Sequence, residues 1–551
     1  MMRHVALLLL ALGCSHGSRV GEARFANAPP VTVVDDRRNV PEAPEPRKTA
    51  LLLYMFDGNF YRRITRAMEV PAPRRALGVN SMDDVPDSTW FTNRIGVRNM
   101  APAEIKKGPA DLGSPEQFKP WTIKNTKVGG QSTGLVMKDS RGNEFVLKFD
   151  KKGYPEAETA TDAIVGRLLW AFGYNVPEDN VVYCTREDLI LTEKSVIKLP
   201  FGKPKKLTKE VLDELLTKVE IEKDGRMRAI ASRVLKGTWL GGHRNEGTRD
   251  DDLNDRIPHE LRRDLRGTYA VYGWLAHGDV KEHNWLDMWV ADPERPKHHY
   301  VKHYLIDFGK ALGVMAVGHR DMRDDHVYRI DWSEMGANLF TFGLRKRSWE
   351  DRSAPKLRGL GLYDIDSYKI VDWRPNTPAY TPFHTSDRFD NYWASKILIR
   401  FTREQLAAAV DAGRLTEPRA KEYLLKALIE RQRMTARHYF ERVAPLEKFA
   451  MSEGALCFDD LALEYKLGSI VGTRYTISVY DVEGRELAAP RTITPEQSHT
   501  CLGAVPMPRG GDQYTIVRID TTRANLDAAT LIHLARDPKT GNARVVGIRR
   551  L

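Results

Sequence analysis

The chain has few of the features that assign a protein quickly to a large class. Its 551 residues contain only four cysteines, Cys14, Cys184, Cys457 and Cys501, which excludes a disulfide-rich scaffold. No two of them form a C-x-x-C pair, which argues against the common thiol-redox motif. No nucleic-acid motif with interleaved aromatic residues occurs, so we expect no nucleic-acid partner. Beyond the first residues, no apolar run is long enough to span a bilayer.

The N-terminus has the composition of an export signal. Arg3 and His4 precede a short apolar run, residues 5–12, and a small residue stands before Cys14. Residues 11–14 read Ala-Leu-Gly-Cys and resemble a bacterial lipobox, although Ala stands where Leu is commonest. The resemblance implies a lipid on Cys14 and an exported, membrane-anchored lipoprotein of the bacterial cell envelope. The alternatives are a plain signal peptide or a wrongly chosen start codon.

Length and charge set broad limits. A chain of 551 residues is too long for one core, and three or four domains are the usual expectation. Hydrophobic residues make up 42% and charged residues 29%, as in soluble globular proteins. The net charge of +11 favours anionic partners such as nucleotides. Because Lys and Arg are spread along the chain, a solvated basic surface explains it as well.

Local patterns predict an ordered series of segments. After the signal or lipobox (1–14), they are a Pro-rich linker (15–50), an N-terminal extension with a short helix near 52–68 (51–120), a small α+β lobe (121–200), a longer mixed region (201–385), a helical segment (386–450) and a C-terminal β-rich domain (451–551). A β-hairpin is predicted from strands at 285–290 and 300–306, which flank the polar turn 291–299. Thr402 and Gln405 have the spacing of a helix capping box before an Ala-rich run. Cys457 and Cys501 both fall in the β-rich domain, where they have the opportunity to pair.

The first candidate for chemistry is the segment 277–284, which reads His-Gly-Asp-Val-Lys-Glu-His-Asn. Asp279 and Asn284 are five residues apart, the spacing of the Asp and Asn in a kinase catalytic loop. Phosphoryl transfer needs a carboxylate to accept the proton of an attacking hydroxyl, and oxygen ligands for Mg²⁺ nearby. Lys281 is placed to reach the transferred phosphate as a point charge.

The second candidate is the segment 305–309, Leu-Ile-Asp-Phe-Gly. An apolar strand delivers Asp307 at its end, and Gly309 permits a sharp backbone turn. An Asp here is a ligand for the Mg²⁺ that bridges nucleotide phosphates. The trio is a weak signal alone, and it gains weight from its place downstream of Asp279 across a predicted hairpin.

The third candidate is Lys148, at the end of the predicted strand Phe-Val-Leu-Lys. A carboxylate should hold its ammonium group. Glu156 opens the next helix, and the apolar residues four, seven and eight positions later put it on the predicted buried stripe. Glu158 is expected to face water and is the reserve candidate.

The fourth candidate is the glycine-rich segment 128–134, with Gly129, Gly130 and Gly134. Glycines let backbone N–H groups approach phosphates. The spacing is not G-x-G-x-x-G, so an ordinary turn explains the segment equally well.

Together these segments resemble the protein-kinase-like superfamily over about residues 121–315. The resemblance implies an α+β, two-lobed fold with ATP between the lobes and Mg²⁺ as cofactor. It implies that Lys148 contacts phosphates, Glu156 orients Lys148, and Asp279 is the catalytic base. Asn284 and Asp307 would bind the metal.

The departures point away from ordinary protein kinases. No A-P-E follows Asp307, the interval from Lys148 to Glu156 is short, and Gly278 replaces the usual Arg. His-Gly-Asp is similar to the loop of aminoglycoside phosphotransferases, and the compact first lobe resembles HipA-type and CotH-type atypical kinases.

Two main hypotheses follow. The first is an atypical kinase that transfers the ATP γ-phosphate to a hydroxyl of an unknown protein or small molecule. The alternative, motivated by the export signal, is a membrane-tethered, non-catalytic kinase-like binding or structural protein of the envelope. A zinc site built from His298, His299 and His303 with Asp307 is a weaker hypothesis, because His298 and His299 lie in a polar turn and point opposite ways if the turn is extended.

Overall fold

The computed structural model describes residues 20–48, 50–70, 74–127, 132–199, 202–315, 321–347, 349–508 and 513–551. The chain forms two compact units. The larger unit consists of Val31–Asn80 and Asp84–Arg442; the smaller unit contains residues 20–30, Ser81–Asp83 and Val443–Leu551. Helices and strands occur in both, and the strands form several sheets, which confirms the mixed α+β class. No helix within the described ranges is both long enough and apolar enough to cross a membrane.

The helices of the larger unit are α1 (Leu51–Phe56), α2 (Arg62–Met68), α3 (Pro102–Lys107), α4 (Ala157–Phe172), α5 (Lys209–Leu216), α6 (Arg263–Arg266), α7 (Thr268–Leu275), α8 (Trp332–Phe340), α9 (Thr381–Thr385), α10 (Arg388–Leu398), α11 (Arg403–Ala412) and α12 (Pro418–Phe440). Its strands are β1 (Trp121–Thr126), β2 (Gly134–Lys138), β3 (Glu144–Phe149), β4 (Asp179–Cys184), β5 (Leu189–Ile197), β6 (Lys205–Lys206), β7 (Met227–Arg233), β8 (Thr238–Gly241), β9 (Trp285–Ala291) and β10 (His299–Leu305).

Seven of these strands form one sheet in the order β4-β7-β3-β2-β1-β5-β6. Alternation along β3 places Phe145 and Leu147 in the apolar core, where they pack with residues such as Trp121. Lys148 therefore faces the opposite side of the sheet. The predicted lobe boundary at residue 200 differs from the structure, because β7 pairs with both β3 and β4 and extends the sheet to Arg233.

Helix α4 packs against this sheet and is buried along almost its whole length. Its first turn is held by Asp150, whose carboxylate accepts hydrogen bonds from the backbone N–H groups of Glu156, Glu158 and Thr159. It ends at Gly173, where an added Cβ would lie 2.2 Å from the Phe91 ring. Since α4 also contacts α3 and α11, it has no solvent face to produce a hydrophobic period.

The predicted hairpin forms between β9 and β10, with Leu305 opposite Trp285. Together with β8 it makes a three-stranded sheet in the order β10-β9-β8. The hairpin places the residue before β9 beside the residue after β10, and the Ile306 N–H donates to the Asn284 carbonyl at 3.0 Å. Two segments more than twenty residues apart in sequence thereby meet.

The predicted helical segment, residues 386–450, contains α10, α11 and α12. At the start of α11, Thr402 and Gln405 form the reciprocal hydrogen bonds of the predicted capping box. Buried residues of α7 and α12 pack together, and the Trp274 indole N–H donates to the Leu428 carbonyl at 2.9 Å. This contact fixes the helix that leads into residues 277–284.

The smaller unit is rich in strands. Its elements are β11 (Leu446–Ser452), β12 (Ala455–Asp460), α13 (Leu461–Glu464), β13 (Arg474–Tyr480), β14 (Glu486–Ile493), β15 (His499–Ala504), β16 (Tyr514–Arg523), β17 (Leu526–Arg536) and β18 (Ala543–Arg550). They form sheets in the orders β11-β12-β15 and β14-β13-β16-β17-β18, which share an apolar core. Cys457 and Cys501 form a disulfide between β12 and β15.

Only part of the N-terminal region lies within the described residues. The signal segment and Cys14 lie outside the described residues. The segment 15–50 was expected to be a linker with little to bury, but its described part is packed. Val40 N–H donates to His299 O, Arg47 N–H donates to Leu240 O, and the buried Asp36 carboxylate accepts from Thr89. Backbone pairing explains the difference, since it needs no apolar side chains.

Candidate functional site

Lys148 lies at the centre of a buried ion cluster in the larger unit. Its Nζ is 3.2 Å from Asp162 Oδ2 and 2.8 Å from Asp307 Oδ1, and its side chain is 10% exposed. Burial by itself would lower the pKa of Lys148, but the charges of Asp162 and Asp307 raise it well above its ordinary value. The lysine is therefore a fixed cation held between α4 and Asp307, which stands two residues after β10.

Glu156 is not the partner of Lys148, contrary to the prediction. Its carboxylate accepts hydrogen bonds from Arg358 Nε at 2.6 Å and from Thr416 N at 2.9 Å. Glu156 precedes the first residue of α4 and has a left-handed backbone, with φ of 65°. The prediction was wrong about its direction because α4 is buried all round, so the spacing of apolar residues did not identify the face toward β3.

Asp162 takes the position expected of Glu156. It lies four residues after Glu158, so both side chains share one face of α4. Asp162 Oδ1 also accepts the Phe308 N–H at 3.0 Å, which links Lys148, α4 and the 305–309 segment. Glu158 was expected to face water but is buried, and it accepts from Ser132 Oγ at 2.6 Å. Burial raises the pKa of Glu158 despite that hydrogen bond.

The first prediction compares these two carboxylates. We expect Asp162→Asn to weaken ATP binding about tenfold or more, since about 1.4 kcal/mol of lost orientation corresponds to a factor of ten. Glu156→Gln should lower the thermal midpoint but leave ATP affinity within about twofold. Calorimetric titration with ATP, at a temperature below the unfolding midpoints of both variants, separates the effect on affinity from the effect on stability. Equal loss of affinity in the two variants would contradict the assignment, and partial recovery in Asp162→Glu would support it.

Asp279 follows α7 and is held by two lysines. Lys281 Nζ lies 2.9 and 2.8 Å from the two carboxylate oxygens, and Lys310 Nζ lies 3.5 Å from Oδ2. Burial acts to raise the pKa of Asp279, but Lys281 and Lys310 outweigh it and lower the pKa below its ordinary value. The carboxylate is consequently ionised at neutral pH, as a proton acceptor must be.

Asn284 and Asp307 supply oxygen atoms beside Asp279. Asn284 Nδ2 donates to the Asp279 carbonyl at 2.6 Å, which directs its amide oxygen away from that contact. Asp307 adopts a left-handed backbone with φ of 68°, and its side chain is 34% exposed. The charge of Lys148 holds the pKa of Asp307 far below its usual range. One carboxylate and one amide oxygen fit Mg²⁺, which binds few protein oxygens and keeps waters or phosphate oxygens.

The structure describes two of the glycines that the sequence analysis singled out, Gly134 and Gly309. Gly129 and Gly130 lie outside the described residues. Gly134 is the first residue of β2, opposite Lys148, and an added Cβ would lie 2.8 Å from the Leu147 carbonyl oxygen. Residues 130–134 also have G-x-S-x-G spacing, but a strand begins at Gly134 where a hydrolase elbow would need a helix. At Gly309 an added Cβ would lie 2.5 Å from Glu158 Cγ, so the close approach of α4 requires glycine there.

Sequence reasoning missed four residues that the structure brings to this site. They are Lys127, Ser132, Asp162 and Lys310. Burial and the nearby charge of Lys148 lower the pKa of Lys127. Lys310 directly follows Gly309, and its position next to the 305–309 motif was the one available signal. The other three could be found only from the tertiary structure, in which α4 packs against β3, β4 and β7 of the sheet.

The histidines proposed as a zinc site do not converge. His303 Nδ1 lies 2.7 Å from Asp287 Oδ1, whereas the His299 ring stacks on Trp289 at 4.0 Å between centroids. Within the described part of the chain, His298, His299 and His303 do not form a three-ligand metal group.

Comparison with known proteins gives distant similarities. No family model and no curated protein matches the chain. Among solved structures, the Helicobacter pylori proinflammatory kinase CtkA is similar at 13% identity and a TM-score of 0.32, over 59% of this chain and 98% of that chain. The Golgi casein kinase, solved with Mn and ADP bound, is similar at 13% identity and a TM-score of 0.22, over 52% and 74%. Both structures are of kinases, but because both TM-scores are low, inference about function depends on the geometry of this chain.

Proposed function

We propose that the larger unit is an atypical kinase that transfers the γ-phosphate of ATP to a hydroxyl of a protein or small molecule. One observation carries the proposal. Side chains from β3, α4, the segment after α7 and the end of β10 converge on one cluster, in which Lys148 bridges Asp162 and Asp307 and Asn284 contacts Asp279. This is the set of charges that phosphoryl transfer requires.

Each residue has a separate task in this mechanism. Lys148 binds phosphate oxygens and is kept in place by Asp162. Asp279 accepts the proton of the attacking hydroxyl, and Lys281 offsets charge on the transferred group. Asp307 and Asn284 would hold Mg²⁺, which when bound neutralises phosphate charge and positions the oxygens. Lys310 keeps the carboxylate of Asp279 ionised.

The geometry favours catalysis over the non-catalytic alternative. Nucleotide binding alone needs Lys148, Asp307 and a metal ligand, but it has no use for Asp279. That carboxylate is nevertheless buried, ionised and fixed by Lys281 and Lys310. Holding a charge there costs desolvation energy, which a general base would justify.

We also propose that the chain is exported and anchored in the bacterial envelope by a lipid on Cys14. The support is the basic, apolar and small-residue order of residues 1–14. The hydroxyl acceptor would then be met at the membrane surface or beyond it. Intact-mass measurement of the membrane-extracted protein, beside Cys14→Ser, tests the anchor.

The second prediction tests the nucleotide site. We expect Mg–ATP at about 100 times its Kd to stabilise the protein by about 2.7 kcal/mol. That energy raises the unfolding midpoint by about 3 °C for a unit of this size. Asp307→Ala should abolish the metal-dependent part of the shift, because it removes a metal ligand. Differential scanning fluorimetry with Mg–ATP, with ATP and EDTA, and without ligand makes the measurement.

Asp366→Ala is the matched control, since Asp366 is an exposed loop carboxylate of the same unit. It should keep the full shift. An Asp307→Ala protein that retains the Mg²⁺-dependent shift would contradict the assigned metal ligand. If millimolar Mg–ATP shifts neither the unaltered protein nor the control, the kinase proposal fails.

A further inference from the structure

A second candidate site lies in the smaller unit, on its three-stranded sheet. In the described part of the chain, one group of residues brings three potential metal-ligating atoms within 4.8 Å of one another: Cys457, His499 and Cys501. Strands β12 and β15 are antiparallel, with Cys457 opposite Cys501 and Asp459 opposite His499. Because residues two apart on a strand share a face, all four side chains lie on one face of this ladder.

Hydrogen bonds orient the histidine toward the sulfur atoms. His499 Nδ1 lies 2.6 Å from Asp459 Oδ1, and its Nε2 lies 3.5 Å from Cys501 Sγ. Asp459 Oδ2 is in turn 2.9 Å from Lys448 Nζ. A carboxylate at Nδ1 fixes the proton on that nitrogen and leaves the lone pair of Nε2 for a metal, which is the arrangement behind many zinc-binding histidines.

The two sulfur atoms are joined in the structure, so the site has two exclusive states. Cys457 is buried, while Cys501 and His499 are exposed at the sheet edge. An attacking thiol therefore reaches Cys501 first. A metal bound by both sulfurs needs them about 3.8 Å apart, as two ligands about 2.3 Å from one tetrahedral zinc. The disulfide must break before the metal can bind.

We propose that reduction of the Cys457–Cys501 disulfide converts this face into a Zn²⁺ site, with both thiolates and His499 Nε2 as ligands and Asp459 as the partner that orients the histidine. A dithiol supplies two electrons and two protons and becomes a disulfide, while the Cys457–Cys501 bond breaks to give two thiols. Both thiols then lose their protons as two Zn–S bonds form. Water occupies the fourth position, because His499 and Cys501 are open to solvent.

The ligand chemistry selects the metal. Two thiolates and one imidazole favour Zn²⁺ over Mg²⁺ and Ca²⁺, which prefer oxygen ligands. The site is therefore distinct in chemistry from the carboxylate and amide oxygens of the larger unit. Metal binding to the smaller unit therefore depends on whether Cys457 and Cys501 are oxidised or reduced. This proposal does not depend on phosphoryl transfer by the larger unit.

The third prediction uses Co²⁺ as a spectroscopic probe for Zn²⁺. The full-length chain is reduced with a phosphine, freed of reductant under argon and titrated with Co²⁺, beside the oxidised chain. We expect one equivalent to bind the reduced chain, with thiolate-to-cobalt charge-transfer absorption that Zn²⁺ displaces. The oxidised chain should show none. Asp459→Asn should weaken the affinity about 10- to 100-fold.

Variants separate this site from the other thiols. Cys14→Ser and Cys184→Ser should keep the signal, whereas His499→Ala should lose at least tenfold in affinity while its disulfide still forms. If Cys501→Ser fails to fold, His499→Ala still tests the site, because it leaves both cysteines in place. A reduced chain that binds no Co²⁺, or a signal unchanged in Cys501→Ser or His499→Ala, would overturn the proposal and leave a purely structural disulfide.

Discussion

Asp279→Ala is expected to lower kcat for phosphoryl transfer by about 10²- to 10⁴-fold, the usual contribution of a positioned general base. Mg–ATP affinity should change little, because the nucleotide contacts assigned to Lys148 and Asp307 remain. The measurement is release of ADP, or phosphate transfer to a generic hydroxyl acceptor, with ATP binding determined separately on the same preparation. Loss of kcat without loss of binding distinguishes a base from a residue that merely supports the fold.

The pH dependence offers a check on the same residue. Because Lys281 and Lys310 lower the pKa of Asp279, the carboxylate stays ionised as the pH falls through the ordinary Asp range. The acidic limb of kcat/KM should therefore lie below pH of about 3.9. The residual activity of Asp279→Ala should lack that limb.

Asp250→Ala is a suitable control, since Asp250 is exposed and belongs to the same unit. It should retain full activity. Activity that persists in Asp279→Ala at more than about a tenth of the original rate would exclude Asp279 as the general base.

Lys148→Met is expected to destabilise the larger unit by about 3–5 kcal/mol, the usual cost of removing one partner from a buried ion cluster. The change leaves the carboxylates of Asp162 and Asp307 close together without their shared cation. Urea unfolding followed by fluorescence measures the loss. The same variant should fail to bind ATP, so its deficit should not diminish when Mg–ATP is added.

The direction in which pH changes this stability difference follows from the pKa of the Asp307 carboxylate. Lys148 lowers the pKa of Asp307, so its stabilisation is present above the ordinary Asp pKa and is lost as the pH falls through the lowered value. The difference between Lys148→Met and the unaltered protein should shrink as the pH drops below about 4.

A second substitution tests the physical cause. Adding Asp162→Asn to Lys148→Met removes one of the two unpaired carboxylates and should recover part of the lost stability. Lys127→Met is the comparison for a lysine near the same cluster that makes no direct ion pair with Asp162, and its cost should be smaller. No recovery in the double variant would show that the loss comes from packing of the lysine stem instead of from the charges.

The sequence by itself was sufficient for elements whose signals are local. Two predicted strands on either side of a polar turn predicted the β9–β10 hairpin, and Thr402 with Gln405 predicted the cap of α11. Because a hairpin brings the residues at its two ends together, the sequence also placed the segment that contains Asp279 and Asn284 beside Asp307. Capping and pairing depend on residues close in the chain, which is why a single sequence revealed them.

Local sequence signals could not identify the carboxylate that pairs with Lys148. Glu156 and Asp162 are both acidic, and both stand near the start of the helix after β3. Which one meets Lys148 depends on how α4 is rotated against the sheet. Besides the sheet, α4 contacts α3 and α11, whose residues lie fifty or more positions before α4 and more than two hundred after it.

Residue types, spacing and order therefore determined the chemistry available to this protein: a lysine on a strand, carboxylates near a hairpin, and cysteines in a β-rich region. The tertiary structure alone decided the partners, placing Asp162 against Lys148, Lys310 against Asp279, and His499 beside Cys501. The reason is physical. A helix buried on every side carries no period that marks its faces, and a strand's neighbours in a sheet are set by long-range pairing that leaves little trace in the local sequence.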